Sequence, residues 1–326
     1  MKTCFGLLGS LIILFINSCA SSYRTSEGLV WNTAYHITYN SGVDMTDSVM
    51  AVLKAVEMSV SPFNPASTVS KINNNSDMRV DPYFREVYEM SRVVWDESNG
   101  AFDPTLAPLI NAYGFGYRDS IHVDEQVIDS IKEFVGLGRT GITESGELQK
   151  NDPRMEFNFS AIAKGYACDK VAEMFIANGI TDFMIEIGGE ITVNGDNPDG
   201  EKWRISVDAP VESADRVVHK SQTVIALDNQ GVATSGNYRN YRDKGGRRIG
   251  HTIDPYSGGP AITDIASVTV VAETCMEADA YATACMAVGS DRAKYILQHI
   301  ELPAMLVLTD GTVWKTPSFE ELEQDR

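Results

Sequence analysis

Residues 154–194, RMEFNFSAIAKGYACDKVAEMFIANGITDFMIEIGGEITVN, decide the class of fold. Arg154 to Phe159 reads as a short strand, and Ala161 to Ala177 as a helix closed by Asn178-Gly179. Phe183 to Ile187 reads as a second strand, which turns at Gly188-Gly189 and continues over Ile191 to Asn194. This alternation suggests α+β, although pattern alone leaves a doubly wound α/β arrangement open. The chain has no Gly-Lys-Ser/Thr phosphate loop, which weighs against a P-loop fold.

Working outward, Leu29 to Tyr39 predicts an opening strand with Thr33, Tyr35, Ile37 and Tyr39 on one face. Thr46 to Ser59 has helical spacing at Val49, Val52, Leu53 and Val56. Asp81-Pro82 is a helix entry, an aspartate cap followed by proline in the first turn, and that helix runs through Val87 and Val94 toward Ser98-Asn99-Gly100. Downstream, Asn197-Pro198-Asp199-Gly200 is a turn. Trp203–Val207, Val224–Leu227, Ala266–Val271 and Ala304–Leu308 read as strands, and Glu277–Val288 and Asp291–His299 as helices. No linker, repeat or low-complexity stretch marks a domain boundary.

The first residues are of a different kind. Lys2, an apolar run from Phe5 to Ile16, and Asn17-Ser18-Cys19 read as an export signal too short to span a membrane. Ile16-Asn17-Ser18-Cys19 resembles a bacterial lipobox, so residues 1–18 are expected to be a lipoprotein signal peptide with Cys19 the lipidated residue. Residues 19–28 are expected to form a polar tether, and 29–326 the folded domain. The expected location is the bacterial cell envelope, lipid-anchored and facing the periplasm.

Formal charge is −18, and cleavage before Cys19 removes Lys2 and no acid, giving −19. That balance argues against a nucleic-acid surface. It also disfavours a phosphorylated ligand unless a cation bridges the two, so a metal is expected. Cys168, Cys275 and Cys285 follow neither a disulfide nor a zinc pattern and read as small buried apolar residues.

Candidate chemistry gathers mainly within residues 160–287. Asp279 and Thr283 are four apart, on one helical face, and are hard oxygen donors suited to Mg²⁺; a surface aspartate and a threonine bonded to its own helix is the plainer alternative. Lys164 lies just inside a helix start, where a phosphate is readily held, and Gly165 permits close approach by a ligand or a neighbouring backbone. Gly188-Gly189 fits either a ligand against the backbone or a bulge. The segment from Asn237 to Arg248, basic with interleaved tyrosines, fits a charged hairpin tip or a lid over an adenine and phosphate. His251 can relay a proton near neutral pH or be structural. Asp103 either caps the next helix or holds the polar edge of a ring system, and Phe63 either stacks a flat ligand or packs locally.

These segments in this order resemble the ApbE family of flavin transferases. The motifs are Thr33-Ala-Tyr-His-Ile, Ser67-Thr-Val-Ser-Lys-Ile-Asn73, Gly100-Ala-Phe-Asp-Pro-Thr with Pro108-Leu, and Gly114-Phe-Gly116. They continue through Ala163-Lys-Gly-Tyr-Ala167, Glu186-Ile-Gly-Gly-Glu190, Ser235-Gly-Asn-Tyr238, His251-Thr-Ile-Asp-Pro255 and Ala278-Asp-Ala280. The resemblance implies an α+β fold, a single large domain with mixed sheets and flanking helices. It implies a transferase that binds FAD as substrate with Mg²⁺, cleaves the diphosphate and joins FMN by a phosphoester to a Thr or Ser of an exported redox protein, releasing AMP. By position, the Ala161 carbonyl, Asp279 and Thr283 would hold Mg²⁺. Trp31, Phe63, Ala101, Phe102, Asp103, Asn158, Lys164 and Ile253 would line the FAD site, and His251, Asp279 and Lys164 would serve catalysis. Trp31-Asn32-Thr33 stands where Met-Gly-Thr is usual, Asn158 replaces a common aspartate, and Ala282 stands where some relatives carry an aspartate. The same site would also suit an FAD diphosphatase with water as acceptor, whereas a carrier that only stores FAD needs no metal at the diphosphate.

Overall fold

The computed structural model describes residues 22–210, 221–236, 241–244 and 247–324; the signal-peptide, Cys19 and Asn237–Asn240 readings lie outside them. The strands are β1 (Tyr23–Val30), β2 (Thr33–Asn40), β3 (Thr140–Ile142), β4 (Leu148–Lys150), β5 (Phe183–Ile187), β6 (Glu190–Asn194) and β7 (Trp203–Asp208). They continue as β8 (Ser221–Leu227), β9 (Gln230–Gly236), β10 (Tyr241–Lys244), β11 (Arg247–Gly250), β12 (Ile265–Ala272), β13 (Ala304–Leu308) and β14 (Val313–Lys315). The helices are α1 (Thr46–Val60), α2 (Thr68–Asn73), α3 (Pro82–Glu97), α4 (Ala107–Tyr113) and α5 (Glu125–Lys132). The remainder are α6 (Ala163–Ala177), α7 (Cys275–Val288), α8 (Ser290–His299) and α9 (Pro317–Gln324).

Eight strands form one sheet in the order β1-β2-β5-β6-β9-β12-β13-β14. Every ladder in it is antiparallel, which settles the class as α+β and removes the doubly wound alternative. One face carries α6 and α7, backed by α1 and α3, over the main core. The other face, along β6, β9, β12 and β13, carries the β7–β8 ribbon and α9, with Val193, Trp203, Ile225, Val271, Val307 and Phe319 buried between. β12 is therefore buried on both sides: Val268 and Val270 belong to the main core, Val271 to the second. A third cluster holds Leu106 and Leu109, Phe134, Met155 and Ile253.

Local chemistry explains the helix starts. The side chains of Ser67, Asp81, Asp124 and Thr274 accept hydrogen bonds from Ser70, Phe84, Val127 and Glu277 N–H at the heads of α2, α3, α5 and α7. α6 begins at Ala163 and α7 at Cys275, each two residues from the sequence reading. Among the described residues no helix is long and apolar enough to cross a membrane.

Three expectations need correction. The polar tether is partly a strand, because Tyr23 to Val30 pairs residue for residue with Asn40 to Thr33. That strand is at the sheet edge and mostly exposed, so its polar composition disguises it. What reads as one strand from Leu29 is the end of β1, a two-residue turn at Trp31 (φ 50°) and Asn32 (φ 61°), and β2. Arg154 to Phe159 joins no strand ladder beyond an isolated bridge between Glu156 and Leu106. Phe157 and Phe159 are fully buried against Phe84, at 6.1 and 5.3 Å between centroids. The Asn73 amide takes the place of a neighbouring strand, accepting from Phe157 N–H at 2.8 Å and donating to its carbonyl at 2.9 Å.

Candidate active site

Residues 156–165 form the spine of the site, because three separate elements hold this one segment. Asn73 pins Phe157, the Pro104 carbonyl accepts from Asn158 N–H at 2.9 Å, and Asp279 accepts from Gly165 N–H at 3.1 Å.

The last contact joins α6 to α7. A Cβ on Gly165 would run into the Cys275 carbonyl and come within 2.9 Å of Asp279 Cβ, so this glycine serves a neighbouring backbone rather than a ligand. Gly231 of β9 abuts the same helix start. A helix continuing back from Gly165 would spend its N–H on the Ala161 carbonyl four residues earlier. It goes instead to Asp279, leaving that carbonyl outside the helical ladder. Asp279 is 3% exposed, and burial raises its pKa against the opposing pull of Lys164 and the Gly165 N–H. One turn on, Thr283 Oγ1 lies 3.3 Å from Ser235 Oγ.

Lys164 is placed by the same helix start. Its side chain, 34% exposed, is ion-paired with Glu190 at the head of β6. Burial acts to lower the lysine pKa, but the carboxylates of Glu190 and Asp279 outweigh it and hold the ammonium above its ordinary range. Glu190 is 4% exposed, and burial pushes it up to about 7 despite the lysine. The Gly188-Gly189 turn has φ of 66° and 101°, and a Cβ on Gly188 would meet Thr33 Oγ1 at 3.0 Å and Lys164 Cδ at 3.3 Å. It is a two-residue hairpin turn between β5 and β6, closed over the lysine stem. The helix start itself offers less to an anion than expected: Ala163, Gly165 and Tyr166 N–H bond to Phe159, Asp279 and Ile162. The ammonium is the charged group at this helix start that could meet a phosphate.

The other expected residues lie along the spine. Asn158 is buried, its Oδ1 accepting from Ser160 N–H at 2.9 Å. Asp103 caps no helix; α4 is entered through Leu106. Its Oδ1 accepts from Thr105 N–H and hydroxyl at 2.8 and 2.6 Å and its Oδ2 from Leu137 N–H at 3.1 Å, while burial raises its pKa. Ala101 and Phe102 are buried in the main core, so their side chains shape the loop from behind. Ile253, bridged to Pro260, is buried beside Leu106 and Met155. His251 lies half-buried just after β11. Trp31 packs partly buried against the main core at the β1–β2 turn, with its indole N–H buried and unpartnered.

Phe63 is 61% exposed and meets Tyr117 edge-on at 6.1 Å, at the mouth of a cleft of about 280 Å³. The Tyr117 hydroxyl accepts from Asn73 Nδ2 at 2.8 Å and donates to Glu156 at 2.8 Å, which ties this cleft to the spine. Sequence reasoning missed Asn73, Glu156 and Glu190 as site-builders. Their motifs give the residue types, but only the fold shows which backbone or charge each one meets.

The donor set suits a hard cation. Asp279 supplies a carboxylate, Thr283 a hydroxyl and Ala161 a released carbonyl, and among the described residues no cluster of three or more His, Cys, Asp or Glu forms a closed metal cage. An ion such as Mg²⁺, which keeps waters and phosphate oxygens in its shell, fits so sparse a set.

Comparison with known proteins agrees with this geometry. The model of the ApbE family matches residues 31–306. A Haemophilus influenzae protein named FAD:protein FMN transferase is 30% identical, over 100% of this chain and 99% of its own length. One of the same name from Escherichia coli K12 is 29% identical over 90% and 86%. Among solved structures, the apo form of the Pseudomonas stutzeri flavinyl transferase ApbE superposes with a TM-score of 0.83 at 30% identity, covering 93% of this chain and 97% of that one. The flavin transferase ApbE from Vibrio cholerae gives 0.81 at 28% identity, over 93% and 99%.

Proposed function

The chain belongs to the ApbE family, and from that premise we propose how it works as an FAD:protein FMN transferase: it cleaves the FAD diphosphate with the help of Mg²⁺ and passes FMN to a Thr or Ser hydroxyl of a partner protein, with AMP leaving. The observation that carries this reading is the α6–α7 junction, where one hydrogen bond from Gly165 to Asp279 frees the Ala161 carbonyl and Asp279 also acts electrostatically on Lys164.

Phosphoryl transfer is chiefly a matter of positioning the reactants and neutralising charge on the phosphate oxygens. Ala161, Asp279 and Thr283 would hold Mg²⁺, which when bound supplies Lewis-acid neutralisation at the diphosphate. The Lys164 ammonium meets a second phosphate oxygen. His251 takes the proton from the acceptor hydroxyl, a role its ring fills near neutral pH. Phe63, at the exposed lip of its cleft, offers a face for a flat ring. We place the protein in the cell envelope, anchored through Cys19 and acting on an exported redox protein; the support is the sequence of the leader.

The test is mass spectrometry of a Ser/Thr-bearing acceptor domain incubated with the protein, FAD and Mg²⁺. An FMN adduct is expected, abolished by EDTA and reduced at least about 100-fold by Asp279→Ala. AMP and free FMN without an adduct would make the protein a diphosphatase, and intact bound FAD would make it a carrier.

A further inference from the structure

We propose that Glu190 is the positioning residue for Lys164: its carboxylate fixes the ammonium where it meets the diphosphate. The inference deepens the reading above and rests on Lys164 acting as the cation for FAD.

Three observations carry it. Glu190 is the first residue of β6, directly after the Gly188-Gly189 turn, so that turn sets where its backbone stands. The turn presses on the lysine stem, with Gly188 placed so that a Cβ would lie 3.3 Å from Lys164 Cδ. The turn thus lies close alongside the middle of the stem while the tip is held by Glu190. β6 is also tied to α6 at this point, because Cys168 Sγ donates to the Glu190 carbonyl at 3.3 Å.

The second observation is the asymmetry of the carboxylate. Oε1 is on the Lys164 ammonium, whereas Oε2 is buried with no hydrogen-bond partner. A carboxylate kept for stability alone would have both oxygens satisfied, since leaving one dry is costly. Lys164 is the only side chain that is hydrogen-bonded to it among the described residues. Third, the lysine side chain keeps part of its surface open while Glu190 is closed, so the lysine and not its counter-charge is the accessible member of the pair. Asp279 also faces the lysine, with its own Oδ2 on Gly165 N–H. Of these two carboxylates, Glu190 alone is ion-paired with the lysine.

The experiment uses Glu190→Gln, close in shape and without charge, in the full chain. The first readout needs no FAD: the rate at which an amine-reactive ester labels Lys164 near pH 8, followed by peptide mass spectrometry. Removing the counter-charge makes the ammonium release its proton more readily, so labelling is expected to quicken about 10-fold. The second readout is steady-state FAD cleavage, where kcat is expected to fall about 10- to 100-fold with KM for FAD within about threefold. A urea midpoint close to that of the parent confirms that the fold is kept. Labelling and kcat both at parent levels would overturn the proposal. So would a fall in kcat with unchanged labelling, since Glu190 would then act other than through Lys164. If the parent protein fails to turn over FAD, the functional reading is lost, and the labelling arm still decides whether Glu190 governs the lysine.

Discussion

A single methyl group at residue 165 probes the α6–α7 junction. Gly165→Ala places a Cβ against the Cys275 carbonyl and Asp279 Cβ, both parts of one packed helix that cannot swing aside. The cost of such overpacking is about 1–3 kcal/mol. The Gly165–Asp279 hydrogen bond should be lost with it, so denaturant midpoint and Mg²⁺ affinity by titration calorimetry should fall together. A midpoint shift with unchanged metal affinity would separate the junction from the metal site. Asp169 clasps the same helices: it accepts from Cys275 and Met276 N–H at 3.0 and 2.8 Å and from the Thr192 hydroxyl at 2.9 Å. Burial nevertheless pushes its pKa from 3.8 up to about 6. The native state therefore holds this proton more tightly than the unfolded chain, and the contribution of Asp169 to stability declines as pH rises from about 4 to about 6. Glu190 titrates in an overlapping window, so the informative quantity is a difference between variants. Urea midpoints of Asp169→Asn should fall less steeply across that window than those of the parent, and parallel curves would refute the assignment.

At the scale of elements, the spine depends on one amide. Asn73→Ala removes both hydrogen bonds to Phe157 and leaves a buried N–H and carbonyl unsatisfied, a loss of about 2–4 kcal/mol. It also removes the donor to Tyr117 beneath the Phe63 cleft, so KM for FAD should rise more than kcat falls, checked by initial rates across FAD concentrations. How far the sequence is legible follows from the same element. Arg154 to Phe159 reads as a strand, but side-chain period cannot say who receives the backbone hydrogen bonds. Where the partner is an adjoining strand, as for Phe183–Ile187 against Glu190–Asn194, the reading holds. Where it is a side chain 84 residues away, it fails. β3, β4 and β14 have three residues each, too few for any period to show. Asp81-Pro82 was legible because a cap acts within its own helix. Lys164 and Asp279 could be chosen from their motifs, whereas Glu190, coming after two glycines, gives no local hint of burial.

Over the whole molecule, the sheet separates chemistry from support. The site stands on the α6–α7 face, and the cluster around Trp203 and Phe319 seals the other. Phe319→Ala should cost about 3–5 kcal/mol of stability through the cavity it leaves. The kcat of the molecules that remain folded should be unchanged, which thermal melts paired with active-site-normalised rates would check. A parallel loss of kcat would mean that the far face tunes the near one. The Gly165–Asp279 bond also has a consequence in time, because its partners are 114 residues apart in the chain. Closing so long a loop is entropically slow and is rewarded only once both helices exist. A chain in which α6 has formed and α7 has not yet docked therefore has the lysine without its aspartate, and the site is completed only at the last stage of folding.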